Sequence, residues 1–174
     1  MATVVEAVGW DITLGLADTG IGKLFLWATS ACENSVPEFI DHVGIKVFGY
    51  LYEYGDCGIL RTKVPNDGNP VSKYPTFSLR AVENVGETSK TREEFESWIL
   101  EQNRGEFHGS RYDIVGQSCI IWAMEATKFL GVTYPPNWDK IVKYAHSHKT
   151  IASALGGSIV TSRQLSFEPL GTYE

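Results

Sequence analysis

The strongest constraint on how this chain folds is a run of three short strands in residues 42–64. Residues 42–48 (HVGIKVF) alternate, with Val43, Ile45 and Val47 on one face and His42, Gly44 and Lys46 on the other. A period of two with one apolar face specifies a half-buried strand. Gly49 interrupts it, and Tyr50, Tyr52 and Tyr54 then share one face of a second strand. Gly55-Asp56-Cys57-Gly58 carries turn residues, and residues 59–64 (ILRTKV) form a third strand. Strands joined this tightly pair antiparallel. Residues 3–14 and 76–85 read as two more strands, with a polar loop holding three prolines before the latter.

The helices follow. Thr91-x-x-Glu94 is a capping box, and Phe95, Trp98 and Ile99 succeed it at helical spacing. That helix ends near Arg104-Gly105. Ser118 caps a second helix over 119–130, which Gly131 stops. On a wheel of about 100° per residue, Cys119, Trp122, Ala123, Ala126, Phe129 and Leu130 share one face. A last helix starts at Pro135-Pro136-Asn137-Trp138 and runs to about Leu155. Residues 15–22 read as a loop, and 23–32 fit helix or strand equally.

With 174 residues, 43% of them apolar, the chain can build one core without metal or disulfides. Residues 1–156 are read as the domain and 157–174 as a tail. The net charge of −6 and the lack of any Lys/Arg run argue against nucleic acid or an anionic membrane as partner. No apolar stretch reaches a membrane-spanning length. The N-terminal residues resemble no secretory signal, and Ala2 excludes myristoylation. Three cysteines, Cys32, Cys57 and Cys119, form no disulfide framework and no zinc spacing. The expectation is reduced thiols in the cytoplasm or nucleus.

Cys119 is the one residue whose position invites chemistry. In the first turn of a helix, unpaired N–H groups and the positive dipole end stabilise a thiolate. The same groups can hold an oxyanion. A buried, inert cysteine fits the position as well. Of the four histidines, His42 lies on the less apolar face of its strand, which suits a side chain aimed into a cleft. A structural histidine is equally compatible with that placement. His146 and His148 are two apart on a helix and cannot share a metal. From the residues alone, both readings of the Cys119–His42 pair stand.

The order of motifs resembles the PPPDE family: a strand histidine, the tyrosines and GDCGI turn, ETSKTREEFESWI, YDIVGQSC leading a helix, and then PPNW. These are permuted papain-fold cysteine peptidases that include deSUMOylating isopeptidases, and the resemblance covers residues 8–144. It implies an α+β, circularly permuted papain-like fold, with a small antiparallel sheet or barrel packed against helices. It implies Cys119 as nucleophile and His42 as base, with no cofactor and no metal. It also implies a ubiquitin-like modifier or modified protein as substrate, and homodimers among relatives. S-acyl-protein thioesterase activity with the same dyad is one alternative. A non-catalytic module binding a ubiquitin-like protein is another.

The sequence departs from the family where Gln117-Ser118 precedes the cysteine, in place of His-Asn or Arg-Asn. Gln117 is then expected to donate its amide to the oxyanion, beside the backbone of Cys119, while Ser118 caps the helix. Tyr50, Tyr52 and Tyr54 are candidates for a substrate groove, with strand packing as the competing reading.

Overall fold

The computed structural model describes residues 2–12, 37, 40–74 and 78–149. Outside these residues lie the 15–22 loop, the 23–32 stretch with Cys32, and the tail; the last helix, expected to run to about Leu155, ends at Ser147, where the His148 N–H closes on the Tyr144 and Ala145 carbonyls.

Five strands form one antiparallel sheet: β1 (Thr3–Asp11), β2 (Asp41–Val47), β3 (Tyr50–Gly55), β4 (Gly58–Lys63) and β5 (Leu79–Thr88). Their spatial order is β4-β3-β2-β1-β5, so β2 lies at the centre. The β2–β3 hairpin closes through Phe48 and Gly49, both at positive φ, 56° and 79°. That geometry matches the right-handed twist of the strands it joins.

Three described helices follow: α1 (Arg92–Arg104), α2 (Cys119–Leu130) and α3 (Asn137–Ser147). The α1 capping box is complete. Thr91 N–H donates to Glu94 at 2.7 Å, and Glu94 N–H donates to Thr91 Oγ1 at 3.2 Å. Ser118 Oγ caps α2 by accepting from Ile121 N–H at 3.4 Å. Gly131, at φ 76°, ends it in the left-handed conformation that glycine adopts at least cost.

One correction concerns burial. β2 was expected to be half-buried, yet both faces are covered and only Lys46 is partly exposed. A central strand has neighbours on both edges, and here it also has a layer on each face. Val43, Ile45 and Val47 join the main core with Trp122, Ala123 and Ala126 of α2. On the other face, Val8, Trp10 and Leu51 form a second cluster. β5, in contrast, is an edge strand exposed along much of its length.

Candidate active site

The cap on Ser118 starts α2 abruptly, which places Cys119 in its first turn. Cys119 is only 4% exposed. Its sulfur accepts backbone N–H groups from Ile120 in its own helix and from Val43 in β2. Val43 lies just past the end of the β2–β3 pairing, which stops at Gly44 opposite Glu53. Burial pushes the Cys119 thiol up, but the His42 charge, its hydrogen bond and the two backbone donors outweigh this. The net direction is down, toward thiolate at lower pH.

His42 is the second residue of β2, opposite Trp10 of β1. Its ring is enclosed by Trp10 and by Tyr74, with centroids 6.0 Å and 5.2 Å away. Tyr74 comes this close because Gly55 lies beneath it, where a Cβ would overlap the phenol ring. The imidazole Nε2 lies 3.1 Å from Glu53 Oε1. Burial opposes a positive charge on this ring, but interaction with Cys119 and then Glu53 prevails. The pKa is pushed up to about 10. With Nε2 engaged by Glu53, Nδ1 is the ring nitrogen left for the Cys119 side, and it is buried without a hydrogen-bond partner. The expectation that His42 faces an open cleft is therefore corrected. It is 1% exposed and sealed between two aromatic rings.

Other expected positions are placed differently. The Gln117 amide donates to the backbone carbonyl of Glu106 at 3.1 Å, so it is turned to that loop and not to the sulfur. The Gln117 backbone closes a turn with Asp113, donating at 2.8 Å and accepting at 3.2 Å. Asp113 tightens this turn by accepting from the N–H groups of Val115 and Gly116, which hold its carboxyl below the usual carboxylate range. Ser118 serves as the cap. Tyr52 and Tyr54 do not line a groove. Both are wholly buried, because Phe95 of α1 and Phe107 pack edge-on against them. Tyr50 lies under the guanidinium of Arg61, 4.9 Å from the ring centre.

Two side chains at the site were not anticipated. Glu53 was visible as the single carboxylate between Tyr52 and Tyr54, and period-two alternation puts it on the face of His42. Only the strand register brings it to the imidazole. The other is Tyr112, whose hydroxyl is buried near Cys119 without a hydrogen-bond partner. Burial and the neighbouring Cys119 hold it well above an ordinary phenol, so it stays protonated and able to donate.

Beside Cys119 and Ser118 opens a pocket of about 40 Å³, lined mainly by apolar side chains including Ile12, Ile40, Ile114, Ile141 and Tyr144. Among the described residues, no cluster of His, Cys, Asp and Glu is placed to hold a metal. Nor is any described helix long and apolar enough to cross a membrane.

A buried thiol made acidic, paired with an imidazole made basic, can supply a nucleophile and a proton donor together. Residues 30–155 match the PPPDE putative peptidase domain, and the chain belongs to that family. The α+β architecture is accordingly the permuted papain-like fold. No curated protein matches the chain.

Proposed function

Starting from that membership, we propose that the protein is a cysteine isopeptidase that removes a ubiquitin-like modifier, SUMO or ubiquitin, from proteins. One observation carries this reading. Cys119 and His42 lie far apart in sequence, yet each perturbs the other electrostatically across the N-terminus of α2, which supports a pair acting together.

In the proposed reaction the Cys119 thiolate attacks the isopeptide carbonyl. The His42 imidazolium gives its proton to the departing lysine amine, leaving an acyl-enzyme thioester. Water then attacks the thioester while His42 takes its proton, and the thiolate departs. The Cys119 backbone N–H stabilises the oxyanion, since first-turn N–H groups have no acceptor within their helix. The Tyr112 hydroxyl is the second donor, in the place expected of Gln117.

The test is labelling with an electrophilic probe built on the C-terminus of ubiquitin or SUMO. Labelling confined to Cys119, and lost in Cys119→Ala, supports the reading and names the modifier. Binding of the modifier without labelling would mean a non-catalytic module. A second reading, S-acyl thioester hydrolysis, draws on the apolar lining of the pocket beside the nucleophile, but at about 40 Å³ that pocket would have to widen to take a long acyl chain. Turnover of a fluorogenic acyl thioester, with no cleavage of any isopeptide-linked modifier, would favour that one.

A further inference from the structure

We infer that Glu53 is the positioning residue of this site, its carboxylate fixing the His42 ring so that Nδ1 faces the Cys119 thiol. This rests on the Cys119–His42 reading above. A carboxylate can only accept, so the nitrogen facing Glu53 at 3.1 Å must carry a hydrogen. In neutral His42 that hydrogen is on Nε2, which leaves the Nδ1 lone pair for the thiol. The thiol S–H bond then breaks, its proton moves to Nδ1, and the products are thiolate and imidazolium.

Glu53 is itself fully buried, where a carboxylate is tolerated only if its oxygens are satisfied. The polar loop after β4 satisfies them. The Ser72 hydroxyl donates to Oε1, and the Lys73 backbone N–H donates to Oε2 at 2.9 Å. Ser72 Oγ also accepts from Tyr74 N–H at 3.1 Å, so one turn holds both the carboxylate and the phenol that covers His42. Four elements thus meet at the imidazole: β1 through Trp10, β3 through Glu53, α2 through Cys119 and this loop through Tyr74. The titratable groups facing His42 are Cys119, Glu53 and Tyr74, and Tyr112 faces Cys119. Both phenols are raised well above their ordinary range and remain neutral. Glu53 is the one whose oxygen engages the imidazole nitrogen directly.

The experiment follows alkylation of Cys119 by iodoacetamide against pH on the full chain, read by mass spectrometry of the Cys119 peptide. Wild-type protein is expected to react well below the pH at which an ordinary thiol ionises. Glu53→Gln keeps the side-chain shape and removes the charge. It should move the reactive limb upward by about one pH unit, a roughly tenfold slower reaction on that limb. Ser72→Ala should shift it the same way by less. A folded Glu53→Gln protein with the wild-type limb overturns the inference. If Glu53→Gln does not fold, an unshifted limb in Ser72→Ala overturns it. An ordinary thiol profile in the wild type overturns the dyad, and this inference with it. A shifted limb in a protein that cleaves no modifier supports the inference while the isopeptidase reading fails.

Discussion

On the α2 side of β2, Val43, Ile45 and Val47 meet Trp122, Ala123 and Ala126, none of which is ionisable. On the opposite side, His42 meets Trp10, Tyr74 and Glu53, and Glu53 is held by Ser72 and Lys73. Both faces exclude water. The first is held by non-directional burial, which tolerates small shifts and scales with area. The second is held by directed hydrogen bonds, each of which fixes an orientation. The difference explains how one strand supplies stability and reactivity together. Packing sets the distance between α2 and β2, and the polar contacts set which nitrogen of His42 faces the sulfur.

The sharpest way to separate reactivity from packing is to change one residue that serves each, Cys119 and Ile45. Cys119→Ala should abolish turnover while the thermal unfolding profile stays close to wild type, since alanine keeps the helix start and removes only the sulfur. Wild-type turnover in this variant would sink the nucleophile assignment. Ile45→Ala, one residue deep in the apolar face and fully buried, should do the reverse. The expected cost is about 2–5 kcal/mol in denaturant unfolding, with an unchanged pH–rate profile for the folded fraction. A changed profile would show that reactivity and packing are not separable.

The same contrast governs what was legible in the sequence. The apolar face could be read directly, because alternation along 42–48 and the wheel of 119–130 are local periodicities. The capping box at Thr91 and the caps at Ser118 and Gly131 were legible for the same reason. The polar face was not. Glu53 lies eleven residues from His42, and their meeting depends on the register that pairs Gly44 with Glu53. Gln117 misled because its position beside Cys119 says nothing about its side chain, which the Asp113 turn directs to Glu106. The tyrosines of β3 were correctly placed on one face. Whether that face was open depended on α1, packed from forty residues downstream.

A pH profile tests the polar face as a unit. The Cys119 thiol is lowered, so its contribution to stability is present above the ordinary thiol pKa and fades as pH falls through the depressed value. His42 is raised to about 10, so its contribution is full below about 6.5 and is lost as pH climbs through about 10. The reactive pair is thiolate with imidazolium, which exists between those limits. kcat/KM should therefore rise on a limb below the ordinary thiol range and fall near pH 10. A profile that rises only near pH 8.5–9 and stays flat at pH 10 would mean that the pair is not charged in the folded protein.

The smallest expected effects separate two residues that both lie close to Cys119. Tyr112 places a buried hydroxyl near the sulfur, and that hydroxyl has no hydrogen-bond partner. Gln117 is adjacent in sequence but its amide is bonded to the Glu106 carbonyl. If the oxyanion draws its second donor from Tyr112, Tyr112→Phe should lower kcat by about tenfold or more with little change in KM, since the contact forms only as charge develops. Gln117→Ala should cost less than about threefold, because it removes a loop contact worth roughly 1 kcal/mol and no donor to the reacting carbonyl. Comparing the two variants in one assay makes the outcome unambiguous. A larger kcat loss in Gln117→Ala than in Tyr112→Phe would mean that the Gln117 amide leaves Glu106 when substrate binds. The turn closed by Asp113 would then be a moving part of the site, and the rigidity of the polar face would end at His42 and Glu53.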